Sequence, residues 1–133
     1  MNTDEGDKLT EFARKHNVVM AKSSKVNQKT TIYVLTSDEL NSKDKSDFEK
    51  DFMRCFDPSK FDLLFIRDLH PAQLKRVLEE YKTIYLDDQE LCDAILAAIL
   101  TLSHDFRYFV NEKMNISLRK KLKEILSGYK SEK

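Results

Sequence analysis

Residues 60–89 read KFDLLFIRDLHPAQLKRVLEEYKTIYLDDQ, and this stretch decides the fold. It begins with residues 61–66, a run of strand length that is apolar almost throughout, which predicts a strand at the centre of its sheet. Residues 68–72 then open a helix. Pro71 suits the first turn, where its missing N–H costs nothing, and Leu74, Val77 and Leu78 follow at the spacing of an inner face. Residues 83–86 form a short edge strand. From Asp87 or Asp88 a long helix runs to about Asn111, with Leu91, Ile95, Ile99, Leu102, Phe106 and Phe109 spaced at three and four. Cys92, Leu96 and Leu100 widen its apolar face beyond one stripe. Such a helix must be covered on more than one side, by its own domain or by a partner.

Upstream, residues 4–15 carry Leu9, Phe12 and Ala13 on one helical stripe, with Asn17 as a stop. A brief apolar run at 18–21 predicts a buried strand, followed by a polar stretch at 22–29. Residues 30–35 are β-branched and aromatic and predict a second strand, a neighbour of the first. After a turn-rich segment at 37–42, residues 44–56 place Phe48, Phe52 and Cys55 or Phe56 on one face of a second amphipathic helix. Pro58 ends it by disfavouring helical geometry in the residue before it. Downstream, residues 116–126 form a basic amphipathic helix with Gly128 as its stop.

The order is helix, strand, strand, helix, strand, helix, short strand, long helix. This is an α/β (α+β) arrangement, a small mixed sheet flanked by helices with a long C-terminal helix. The 133 residues suit a single domain, with 112–133 a basic helix and tail. Lys plus Arg and Asp plus Glu number 23 each, so no global field draws the chain to nucleic acid or to a membrane surface. Neutrality is local arithmetic, however. From Glu112 onward seven cations face three anions, a net of +4, which the rest of the chain offsets.

Other classes of function are excluded by what is missing. The two glycines, Gly6 and Gly128, leave no glycine loop to cradle a phosphate. His16, His70 and His104 never stand at i, i+3 or i, i+4 to another His or Cys, so no metal is expected and these side chains are solvated or cap helices. The longest apolar run, 94–102, has nine residues against the about 20 of a membrane span. Cys55 and Cys92 lie far apart, with no secretory pattern ahead of them. The expectation is a reduced, cytoplasmic protein.

Residues 60–89 also carry a resemblance. A strand holding Asp62, a helix, a short strand ending Ile84-Tyr85-Leu86 and an acidic start to a long helix resemble the second half of the minimal nucleotidyltransferases of the DNA polymerase β superfamily. Asp105-Phe106-Arg107-Tyr108-Phe109 is similar to an element of that family's C-terminal helix. The resemblance covers roughly residues 60 to 112. It implies a nucleotidyltransferase fold whose reaction uses two divalent cations held by three carboxylates, with a Gly-Ser loop after the first strand close to the triphosphate.

The matching loop here is 21–29, which has no glycine and offers only Ser23 or Ser24 for the family serine. The paired carboxylates of the second strand fall near Thr31 and Tyr33, leaving Asp62 alone. One aspartate cannot hold Mg²⁺ against its hydration shell. The resemblance therefore implies a catalytically inactive member that takes no cofactor and works as an interaction module. Active members work beside a small helical HEPN-type protein as toxin and antitoxin, so such a partner, or a second copy, is expected on the face of Leu91, Ile95, Ile99 and Leu102.

Two other readings stay open. Asp38 and Glu39, just past the second strand, could replace the lost pair and support NMP transfer from NTP with Mg²⁺. Alternatively, Arg119, Lys120, Lys121 and Lys123 could track a nucleic-acid backbone, although Lys-rich helix ends also suit the negative end of a helix dipole.

Overall fold

The computed structural model describes residues 3–101 and Lys120. Its elements are α1 (Thr3–Lys15), β1 (Val18–Val26), β2 (Lys29–Thr36), α2 (Ser42–Cys55), β3 (Phe61–Phe65), α3 (Pro71–Glu80), β4 (Lys82–Leu86) and α4 (Gln89–Thr101), with a short 3₁₀ turn at Ile66–Asp68 before α3. The sheet runs β3-β2-β1-β4. β1 is antiparallel to both neighbours, and β2 and β3 are parallel. The sheet is mixed, as expected, and β2, β3 and β4 all end on the side where β1 begins.

Two local expectations are corrected. The polar stretch 22–29 is not a loop: β1 continues to Val26 and meets β2 through a two-residue turn, Asn27-Gln28, with Val26 paired to Lys29. Asn27 supplies the left-handed backbone this turn needs, at φ 59°, a region Asn tolerates because its short side chain bonds locally. The run stayed hidden because this end of the strand faces solvent, so its residues carry no apolar alternation. The second correction concerns residues 61–66. They do not form a central strand: β3 lies at the sheet edge, one residue shorter, with Asp62 and Leu64 exposed.

Helices cover both faces. On the back, Leu9, Phe12 and Ala13 of α1 and Phe48 and Phe52 of α2 bury against Val18, Ala21, Ile32, Val34, Phe61 and Phe65. Phe12 meets Phe48, Phe52 and Phe56 edge-on, with centroids 5.0, 5.8 and 6.3 Å apart, the offset geometry that aromatic quadrupoles favour. On the front, Leu74 and Val77 of α3 and Cys92, Leu96, Ala97 and Leu100 of α4 close over Val19, Met20, Leu35 and Ile66. A register shift between Ala21 and Lys22 in the β1–β4 pairing marks where this cover ends.

Helix ends follow their local chemistry. Asn41 caps α2 by accepting from the Asp44 N–H at 2.8 Å. His70 caps α3, its Nδ1 accepting from the Ala72 N–H at 3.2 Å while Gln73 reaches back to the His70 N–H. Asp88 accepts from the Leu91 N–H at 3.1 Å and opens α4. The capping role expected of the histidines is thus met by His70. His16 lies against Phe12 and Phe48 and bonds Asp51 through Nε2 at 2.8 Å. No helix among the described residues is long and apolar enough to cross a membrane.

Candidate functional site

The register of the sheet assembles the site. Asp62 pairs with Thr31, and Thr31 with Ser24, so these three side chains share the front face. One step along, Leu64 pairs with Tyr33, Tyr33 with Lys22, and Lys22 with Thr83. α3 and α4 shield only the other end of this face. Among the described residues no helix covers the row around Asp62.

Asp62 is about half exposed, and Lys29 Nζ stands 3.2 Å from its Oδ1. Thr31, between Asp62 and Ser24, contributes a neutral hydroxyl. At the next row Tyr33 lies against Tyr81, with ring centroids 5.2 Å apart and a 36° tilt. Burial pushes the Tyr33 phenol above its ordinary range, opposed by a hydrogen bond with Ser24. Lys22 is half-buried beneath the pair and donates from Nζ to the Tyr81 carbonyl at 3.2 Å. Burial lowers its pKa, with Cys92 nearby acting in the opposite sense. Tyr33, Ala72, Gln73, Arg76, Val77 and Tyr81 line a cavity of about 230 Å³.

This donor set does not fit a divalent cation. A single carboxylate held by an ammonium offers neither the charge nor the oxygen count that Mg²⁺ requires. Among the described residues there is no group of three or more His, Cys, Asp or Glu side chains able to hold a metal ion. Asp38 and Glu39 lie exposed beyond Thr36, where the Thr36 hydroxyl donates to the Asp38 carbonyl at 2.7 Å. Thr36 is five residues along β2 from Thr31, roughly 17 Å at strand rise, so neither carboxylate stands near Asp62. Ser23 and Ser24 are strand residues rather than loop residues and point to opposite faces.

The structure divides the proposed interaction stripe. Leu91 is exposed at 43%, whereas Ile95 and Ile99 pack at the margin of the front core, beside the fully buried Cys92, Leu96, Ala97 and Leu100. Burial and the neighbouring Asp93 push the Cys92 thiol up to about 12. Leu102, the extension of the long helix to Asn111, the 105–109 element, and Arg119, Lys121 and Lys123 lie outside the described residues; Lys120 is exposed. Sequence reasoning missed the Tyr33–Tyr81 pair and Lys29. The signal for Lys29 was its place at a strand start beside Asp62. Tyr81 carries no signal of its own: it ends α3, and its approach to Tyr33 depends on the sheet order.

No protein-family model matches the sequence, and no curated protein matches it. Solved structures do. The chain is similar over 97% of its length to 98% of a chain in the structure of tri-AMPylated Shewanella oneidensis HEPN toxin in complex with MNT antitoxin, at 14% identity and TM-score 0.59. It is similar to the same extent to a chain in a variant of the toxin–antitoxin complex MntA-HpeT, with 14% identity and TM-score 0.55. A toxin–antitoxin complex with AMP-PNP contains another similar chain, with 13% identity and TM-score 0.54 over 93% of this chain and 97% of that one. The fold is nucleotidyltransferase-like. Within that nucleotidyltransferase-like fold, Lys29 and Asp62 meet where the resemblance puts the third metal carboxylate, and a two-residue turn stands where it puts the Gly-Ser loop.

Proposed function

We propose that this chain is a catalytically inactive, antitoxin-like partner of a HEPN-type helical protein, acting by binding rather than by nucleotidyl transfer. The observation that carries the reading is the Lys29–Asp62 pair at 3.2 Å, with Thr31 and Tyr33 beside it on the same face. An ammonium fills the place where a cation would be needed. The two-residue turn at Asn27-Gln28 supports it further, because it leaves no run of free backbone amides to wrap a triphosphate. Support for the partner comes from the solved complexes, which pair an MNT antitoxin with a HEPN toxin. Leu91 and the half-buried Ile95 and Ile99 give α4 an apolar margin suited to a helical protein. Two free thiols, one exposed and one buried, fit a reduced cytoplasmic setting.

The test is a pair of measurements on the full chain. Calorimetry and pyrophosphate release with ATP and Mg²⁺ are expected to give neither binding nor turnover; release abolished by Asp62→Ala would overturn the inactive reading. Co-expression with a HEPN-type protein encoded beside it is expected to yield a stable complex that Leu91→Glu weakens. Recovery of the chain only as a monomer or homodimer would overturn the partner reading.

A further inference from the structure

Lys22 is a half-buried cation that the partner reading does not use. It stands on the front face of β1, where its neighbours across the sheet are Tyr33 and Thr83. Between this part of the face, the end of α3 and the start of α4 lies a cavity of about 60 Å³, and Lys22 lines it. Met20, Leu78 and Leu96 form the apolar part of its wall, and the buried Cys92 and Asp93 reach it from α4. Thr83 and Gln89 are exposed. Among the described residues the cavity therefore opens between β4 and the first turn of α4.

An ammonium carries three N–H donors. The Nζ of Lys22 makes one hydrogen bond, to the neutral Tyr81 carbonyl at 3.2 Å. Among the described residues no carboxylate lies within ion-pairing distance of it. Asp93, in the same wall, accepts instead from Gln89 Nε2 at 2.8 Å. A charge drawn out of water onto one neutral acceptor is costly, and burial accordingly lowers the Lys22 pKa, with Cys92 nearby acting in the opposite sense. Lys25 and Lys82, on the same pair of strands, are exposed. Partial burial against an open cavity is the setting that turns a lysine from a surface cation into an amine nucleophile.

The cavity sets the class of molecule that can meet this amine. A water-sized group needs about 10–15 Å³ of such space, so the guest has about four or five non-hydrogen atoms. The negative field of Asp93, which also raises the Cys92 thiol, disfavours an anion, while Met20, Leu78 and Leu96 favour a short alkyl group. We propose that Lys22 condenses with a small neutral aldehyde in this cavity and holds it as an imine. The Nζ lone pair forms the C–N bond as the carbonyl π bond opens onto oxygen, and one amine proton passes to that oxygen. The carbinolamine then loses its hydroxyl with the second amine proton, as water. No oxidant or reductant enters, and the site does not depend on the antitoxin-like reading.

The test treats the full chain with propanal at about pH 7, fixes imines with cyanoborohydride and locates the alkylated lysines by peptide mass mapping. Lys22 is expected to react about fivefold or more faster than the exposed Lys25 and Lys82. Glyoxylate, an aldehyde of similar size that carries a carboxylate, is expected to lose that preference. Leu96→Phe, which fills the cavity, and Thr83→Trp, which narrows its mouth, are each expected to slow labelling of Lys22 about threefold or more and to leave Lys25 unchanged. Circular dichroism checks each fold, and Thr83, being exposed, keeps the test decisive if Leu96→Phe unfolds. Three outcomes would each overturn the proposal: equal rates at Lys22 and the exposed lysines, glyoxylate labelling Lys22 as selectively as propanal does, or a preference that folded Thr83→Trp leaves unmoved.

Discussion

The two faces of this sheet are packed on different principles. Behind it, six phenylalanines from α1, α2, β3 and the segment after α2 interlock ring against ring. In front, among the described residues, aliphatic side chains and Cys92 close one end, and the other end carries Tyr33, Thr31, Ser24 and Asp62. Behind the sheet the rings close the core, and an opening there lies between the helices, where Phe12, Lys15, Asp51, Arg54 and Cys55 help to line a cavity of about 350 Å³. The front face keeps its polar groups at a margin where a ligand can reach them. Among the described residues the ring-packed core and the polar row thus lie on opposite sides of one sheet.

The largest effect should come from the back. Phe48 is 2% exposed and touches Phe12 and Phe65 through ring contacts near 5 Å, so Phe48→Ala is expected to cost about 3–5 kcal/mol in urea unfolding. On the front, Leu96→Ala in the α4 core should cost about 2–4 kcal/mol. Equal losses at the two sites would blur the contrast between ring and aliphatic packing. Arg67 joins the end of β3 to the end of β2, its Nη2 donating at 3.0 Å to both the Thr36 and Ser37 carbonyls. Arg67→Met should cost about 1.5–3 kcal/mol. Lys29→Ala at the open end should change stability by less than about 1 kcal/mol, since both partners of that pair are about half exposed.

Acid and alkali should separate the faces by sign. Asp51, at the edge of the back core, is held below the ordinary carboxylate range by hydrogen bonds from Lys15 and His16. The stability it contributes is present above about pH 4 and lost as pH falls below that. Asp51→Asn should flatten the acid limb of the stability curve. Cys92 behaves oppositely on the front. Its folded pKa, near 12, lies above the about 8.5 of an unfolded thiol, so its contribution is full below about 8.5 and is lost as pH rises toward 12. At pH 8 a thiol reagent should modify exposed Cys55 at once and Cys92 only on unfolding.

Much of this was legible in the sequence where apolar spacing was strong. Leu9, Phe12 and Ala13, then Phe48 and Phe52, announced α1 and α2 because each stripe faces a continuous core. The open end was the part misread. In residues 22–26 a strand without cover shows no alternation, and its polarity resembled a loop. In residues 61–65 the apolar character reflects burial of Phe61 and Phe65 behind the sheet, which says nothing about a neighbouring strand in the plane. At the site, the lone Asp62 came from the family resemblance, which puts the missing paired carboxylates near Thr31 and Tyr33. Its pairing with Lys29, and the meeting of Tyr33 with Tyr81, arise from the strand order 3-2-1-4, which local pattern does not encode.

The turn at Asn27-Gln28 bears on how this chain can change over generations. Thr31, half-buried on the front face, could become acidic by a single substitution, whereas an acid at Tyr33 would replace a ring packed against Tyr81 and the front core. A hairpin closed by two residues cannot gain a phosphate cradle in that way. It would have to be lengthened, and an insertion here would also break the pairing of Val26 with Lys29 that holds the tip together. The tight turn therefore works as a ratchet: side chains on the sheet can change at single steps, while a longer loop must first give up the paired tip.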